Sequence, residues 1–571
     1  MKVKKNKLII FSISSLIFLL LLFGIILFLF SKYNIGFNQA EIYLKNGLTA
    51  QPASLNKIQV YNSGNQNFID VIHYDINIEL FPDEEKIIGD VTITAKLKTK
   101  NIQKIEFNFY DNFDITSVVL NNKQTEYNYK NDKITLPSES LLSDTFQLRI
   151  KYNGKPESLG FGSFNFSSNN NEKVIYTLNE PIYASTWFPC NDNPLDKATA
   201  DISITNDSSM ISVSNGVLEN INSYKGKKTF HWKTEYPIAT YLISVCSAKY
   251  THFTDTFVYS DGDSLNLEYY VFPQQLNDAK VDFGIYPEAI KYYSELFGKY
   301  PFIKEKYGVV EFTWKLGAME NQSIIGIGKN FISGRNFFTG MLVHELAHQW
   351  WGDAVTLKSW KDIWLNEGFA TYSEALYWEM KNGKKALSST MNSYLTDFKS
   401  TTLYNPDKLF GKVVYNKGAW VLHMLRKEVG DSVFFSILKN YYEKFKYKNA
   451  STLDFIKIAE KISKKNLNQF FNQWVFEGKG KIKIVYDFMN KTTGGKKYVT
   501  LIIKQIQKEY KNYTFPLDIE LLFNNGVKEK HTVKINMRDT QIVFPIKKIV
   551  KNIILDPEGW LAANIKKEKT F

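Results

Sequence analysis

The chain is 571 residues long, with 44% hydrophobic and 15% aromatic residues. That length exceeds what one hydrophobic core usually serves and that composition excludes a disordered chain, so two to four folded domains are expected. Two cysteines, Cys190 and Cys246, exclude a disulfide framework. The formal charge of +13 lies on scattered lysines with no helix-turn-helix pattern, finger or basic helix, so nucleic acid is not an expected partner.

In chain order, residues 1–7 ("MKVKKNK") carry four lysines, and residues 8–30 ("LIIFSISSLIFLLLLFGIILFLF") carry no charge. At about 1.5 Å per residue that run is long enough to cross the ~30 Å hydrocarbon core of a bilayer. It is longer than the roughly 7–15-residue core of a cleavable signal peptide, and "LFLFSKYN" offers no small-residue cleavage site. Residues 8–30 are therefore expected to be a single transmembrane anchor in the lipid bilayer of the cell membrane. The lysines place residues 1–7 as a cytoplasmic tail and everything after the span outside. Residues 31–66 are polar and weakly patterned, as in a stalk.

From residue 67 to 262 the hydrophobic pattern has period two, as in "YDINIEL", "DVTITAKLK" and "FQLRIKY", which predicts a β domain. From 263 to 480 the spacing becomes helical, as in "YPEAIKYYSELFGKY", "FFTGMLVHELAHQWW" and "IWLNEGFATYSEALYWEM". Period-two segments return from 481 to 571, giving a small C-terminal β domain. The expected fold is thus multidomain α+β: a membrane span, a β domain, a mostly helical domain and a second β domain.

Residues 341–353, "MLVHELAHQWWGD", place His344 and His348 four apart, so both imidazoles share one helix face and can reach one metal ion. Glu345 can reach a metal-bound water without being a ligand. A catalytic zinc of this type needs a third protein ligand. Glu367 in "WLNEGFATYSEA", eighteen residues beyond His348 on a second helical segment, is the candidate. Glu374, two turns further along the same face, offers either a hydrogen bond to a ligand imidazole or ordinary helix polarity.

HExxH, eighteen residues, then a glutamate in "WLNEGFA" resembles the aminopeptidase N family of zinc peptidases, which includes the leukotriene-hydrolase branch. "GAMEN" at residues 317–321, "EPIYASTWFPCNDNP", "VVYNKGAW" and "ILDPEGWL" extend the resemblance over residues 67–563. It implies a β-sandwich-like N-terminal domain, a thermolysin-like catalytic domain and one zinc ion per chain on His344, His348 and Glu367. It implies further that Glu345 is the acid–base catalyst and Tyr415 the donor to the oxyanion. Glu320, with Glu180, would hold the α-ammonium of a peptide with a free N-terminus. Gly317, Ala318, Met319 and Asn321 complete the substrate-binding segment, with Gly317 and Ala318 leaving room for the substrate backbone. Two departures stand out. Ser185 occupies the position where the family usually has arginine, and the strands after 480 replace the helical C-terminal domain of many relatives, which leaves the cleft more open or completed by a partner subunit. The alternatives are an inactive surface receptor or adhesin on the same fold, an epoxide hydrolase of the leukotriene-hydrolase type and a thermolysin-type endopeptidase.

Overall fold

The computed structural model describes residues 64–99, 102–137 and 144–568. The expected tail, the span at 8–30 and all but the last residues of the stalk lie outside the described residues. Among those described, no helix is long and apolar enough to cross a membrane. Of the expected stalk, Gly64–Phe68 forms a 3-10 turn whose Gln66 is buried and whose carbonyl accepts from Asn191 Nδ2 at 3.2 Å. The chain is therefore docked on the first β domain from Gly64 onward.

That domain is built on an eight-stranded sheet in which Ile69–Phe81 lies between Lys86–Leu97, antiparallel, and Ala198–Asp207, parallel. Alternation buries Ile69 and Val71, then Tyr74, Ile76, Ile78 and Leu80; a bulge between Val71 and His73 absorbs the break in period. Two smaller sheets, of four and three strands, complete the domain, and their buried faces belong to one apolar core with the large sheet. Cys190 and Cys246 are both buried and free.

The next part opens with a five-stranded sheet in the order Thr251–Val258, Ser264–Val271, Tyr307–Phe312, Ile324–Gly328, Ala318–Met319. The Thr251–Val258 and Ser264–Val271 hairpin crosses the 262/263 division expected from sequence. Tyr307–Phe312 and Ile324–Gly328 are parallel and buried at every residue, so they show no alternation, and a period-based reading passes over them. Nine α-helices follow the first hairpin among the described residues: α1 (Leu276–Asp282), α2 (Tyr286–Phe297), α3 (Thr339–His348), α4 (Trp364–Asn382), α5 (Lys384–Ser393), α6 (Gly418–Val429), α7 (Asp431–Phe445), α8 (Thr452–Ser463) and α9 (Asn468–Phe471).

Two glycines allow a close approach between two of them. A Cβ on Gly368 of α4 would stand 2.8 Å from Gly418 Cα, and one on Gly418 at the start of α6 would stand 2.7 Å from Gly368 Cα. The two backbones touch there, which only glycine permits. This contact brings the π-helical turn Val413–Lys417 against α4.

The C-terminal part consists of a four-stranded and a three-stranded sheet. It is clamped to α6 by His423, whose ring stacks on Trp560 at 4.5 Å, whose Nε2 donates to Gly559 O at 3.3 Å and whose Nδ1 accepts from Tyr372 OH at 3.2 Å. Burial, aided by the Arg426 guanidinium, pushes the His423 imidazole down to about 3, against which the Gly559 bond and Asp431 act only partly. Between that value and the ordinary value of about 6.5 the unfolded chain binds a proton that the folded chain does not. The His423 contribution is therefore complete above pH 6.5 and shrinks as pH falls, by about 2 kcal/mol at pH 5. Urea unfolding at pH 7 and pH 5 is expected to show a smaller loss for His423→Gln than for the unmodified chain; equal losses would remove His423 from the acid sensitivity.

Candidate metal centre

The helix α3 carries His344 and His348 one turn apart, with their Nε2 atoms 3.0 Å from each other. Glu367, in the first turn of α4, brings Oε2 to 3.4 Å from both nitrogens. The far side of each imidazole is fixed. His344 Nδ1 lies 2.7 Å from Glu374 Oε1, and His348 Nδ1 lies 2.9 Å from the Trp351 carbonyl. Both Nδ1 atoms therefore donate, which leaves a lone pair on each Nε2 aimed at the same point as a buried carboxylate oxygen that makes no hydrogen bond. Two neutral imidazoles and one carboxylate facing one another without a proton to share fit a divalent cation. Burial works against charge on His344, but Glu367 and Glu374 outweigh it and raise the imidazole well above its ordinary value.

The loop after α3 maintains this arrangement. Gly352 takes φ of 132°, and a Cβ there would stand 3.3 Å from His348 Nδ1. Only glycine turns the chain there without crowding the ligand. Gln349, the residue after His348, ties α3 to the segment that carries Glu320: its Oε1 accepts from Ser323 N at 2.8 Å, and its Nε2 donates to Asp353 at 2.8 Å and to the Glu320 carbonyl at 3.4 Å. Sequence reasoning passed over Gln349, although it stands inside the same quoted stretch.

Beside the three donors is a buried acidic group. Oxygens of Glu180, Glu320 and Glu367 lie within 4.8 Å of one another, as do ligand atoms of Glu320, Glu345 and His348. Glu180 and Glu320 are each 4% exposed and each keeps an Oε1 with no hydrogen-bond donor. Burial raises both carboxyls, and for Glu180 the next cause is Glu320 itself. Burial also pushes Glu345 up, to about 8, against the lowering effect of the two histidines. A cation between Glu180 and Glu320 would relieve both. Glu180 stands at the start of the family-like segment, joined to Pro181 by a cis peptide. In place of the expected arginine, Ser185 binds Asp192, with Oγ donating at 2.9 Å.

Ala318–Met319 forms the outermost strand of the five-stranded sheet, antiparallel to Ile324–Gly328, with its other edge unpaired among the described strands. Gly317 O accepts from Gly328 N at 3.0 Å, while Met319 and Asn321 are buried behind it. Tyr415, half-buried in the π-helical turn, stacks 6.1 Å from the His344 ring. Burial, then Glu367, raises its hydroxyl far above its ordinary value, so it stays protonated as a donor. Every site residue expected from sequence except the buried Asn321 lines one cavity of about 600 Å³. The aromatic lining of that cavity, which includes Phe161, Trp314 and Phe410 beside Phe331, Phe337 and Phe338, was not foreseen from sequence, and no spacing in these segments marks it.

The site is that of an HExxH metallohydrolase, with a cluster of buried carboxylates next to the metal ligands. The sequence matches the Peptidase M1 N-terminal domain over residues 71–242 and the Peptidase family M1 domain over residues 281–474. The chain belongs to peptidase family M1, and its metal is zinc. It is 27% identical over 435 residues to a probable aminopeptidase 2 of Sulfurisphaera tokodaii, covering 71% of this chain and 54% of that relative. This chain thus spans about half of that relative's length. Among solved structures, an M1 zinc metallopeptidase from Deinococcus radiodurans is 26% identical with a TM-score of 0.64, covering 71% of this chain and 93% of the other. Legionella pneumophila aminopeptidase A shares the fold at a TM-score of 0.78 and 18% identity, over 90% of this chain and 61% of the other.

Glu374 also accepts from Tyr394 OH at 2.8 Å through its second oxygen, so the His344 imidazole is held by a partly buried chain of two hydrogen bonds. Glu374→Ala is expected to weaken zinc binding by about 10- to 100-fold, as loss of such a support typically does. Competition with a chromophoric chelator measures it, and unchanged affinity would leave Glu374 as a spectator.

Proposed function

We propose that this chain is a zinc aminopeptidase that removes single residues from the free N-terminus of peptides, anchored in the cell membrane by residues 8–30 with its catalytic part outside. The observation that carries the activity is the facing pair of buried carboxylates, Glu180 and Glu320, each with an unpartnered oxygen and both within 4.8 Å of Glu367. A metal hydrolase that cut internal bonds would gain nothing from burying two extra anions, which costs several kcal/mol unless a cation compensates them. The anchor rests on the uncharged run and the lysines before it.

His344, His348 and Glu367 would hold the zinc, which when bound would acidify water and polarise a carbonyl. Glu320 and Glu180 receive the α-ammonium and fix its distance from the metal ligands, so that only the first peptide bond reaches Glu345. The outer edge of Ala318–Met319 pairs with the substrate backbone as an added strand. Glu345 takes a proton from the attacking water and passes it to the departing amine. The Tyr415 hydroxyl donates to the carbonyl oxygen as negative charge grows there.

The test is product identity. The purified protein, loaded with zinc, is incubated with peptides of mixed sequence and the products are followed by mass spectrometry. Stepwise loss of N-terminal residues is expected. Internal cuts would replace this reading with an endopeptidase, and no cut in any peptide would favour a binding role on the same fold.

A further inference from the structure

The cavity beside the metal ligands contains more than the acidic cluster. Phe161, from the loop before strand Phe164–Asn169, packs edge-on against Trp314 at 5.7 Å and against Phe410 at 5.2 Å. The three come from parts of the chain far apart in sequence, each is only half-buried, and all three line the cavity. Trp314 lies three residues before Gly317 on the segment that carries Glu320, and a Cβ on Gly317 would stand 3.7 Å from its ring. The aromatic wall is thus adjacent to the groups assigned to the ammonium.

The charges of the cavity are equally specific. Its lining includes Glu180, Glu320, Glu345, Glu367 and Glu374 but no lysine or arginine. An acidic substrate side chain would therefore meet anions and find no partner. A basic one would find every carboxylate engaged: Glu367 with the two histidines, Glu374 with His344 and Tyr394, Glu345 in the reaction, and Glu180 and Glu320 with the ammonium. What remains for the first side chain is apolar surface.

Resting on the aminopeptidase reading, we infer that Phe161, Trp314 and Phe410 form the pocket for the N-terminal side chain and select bulky apolar or aromatic residues over acidic and basic ones. An apolar pocket of this kind discriminates through the area it removes from water, so the preference grows with side-chain size.

The experiment uses five para-nitroanilides, of Phe, Leu, Ala, Glu and Lys, in which only the first residue varies. The zinc-loaded protein is expected to give kcat/KM for Phe and Leu about 10- to 100-fold above Ala, with Glu and Lys below Ala. Phe161→Ala and Phe410→Ala are expected to reduce the Phe-to-Ala ratio by about tenfold. A best rate for Glu or Lys would overturn the inference without any variant, and so would an unchanged Phe-to-Ala ratio in both variants. Release from none of the five would instead overturn the aminopeptidase reading on which the inference stands.

Discussion

Glu345→Gln is expected to lower kcat by about 10²- to 10⁴-fold while zinc stays bound at one ion per chain, because the amide keeps the shape of the side chain and loses its ability to carry a proton. Glu345 is 6% exposed and shares a 4.8 Å cluster with Glu320 and His348, so nothing nearby can take over the proton with the same geometry. Its neighbours Glu320 and Glu367 are already assigned to the ammonium and the metal. Zinc content by elemental analysis and single-turnover rates separate this outcome from loss of the ion. A fall in rate matched by a fall in zinc would mean that Glu345 acts on the metal site and not on the proton.

The second large effect concerns Glu320. Truncating one partner of a desolvated charge pair costs about 2–5 kcal/mol, much of it from the charge left behind. Glu320→Ala is accordingly expected to lower kcat/KM for free peptides by roughly 30-fold or more. Zinc affinity should change little, since Glu320 is not among the three donors that face the common point. Glu180 would remain buried as the single anion, so the ammonium keeps one of two contacts and the activity is reduced, not abolished. Unchanged kcat/KM would remove the carboxylate from substrate recognition.

Much of this site was legible in the sequence because local spacing dictates it. Two histidines four apart on a helix share a face whatever the tertiary fold, and α3 holds them with Nε2 atoms 3.0 Å apart. Glu367 was legible only through the interval after His348, which fits a second helix returning alongside α3. The Glu374 contact with His344 was one of two options that helix periodicity left open; a 2.7 Å approach is a property of how α3 and α4 pack. The wall of Phe161, Trp314 and Phe410 could not be read at all. Its members come from three loops whose meeting depends on the docking of the β domain against the helices. The buried strands Tyr307–Phe312 and Ile324–Gly328 escaped for a related reason: with both faces covered, their sequence loses the period that marks a strand. Gly368 and Gly418 were seen only as letters of motifs, whereas their backbone contact is what lets the Tyr415 turn reach His344.

In the proposed mechanism the buried pair Glu180 and Glu320 reads the free amine of the substrate. The most direct measurement compares kcat/KM for one peptide with a free N-terminus and the same peptide N-acetylated, at equal zinc loading. Acetylation removes the cation and leaves the scissile bonds intact, so the expected result is a loss of about 10³-fold or more, in line with stranding two buried anions without their partner. Equal rates for the two peptides would contradict the account and leave Glu180 and Glu320 without a role in recognition.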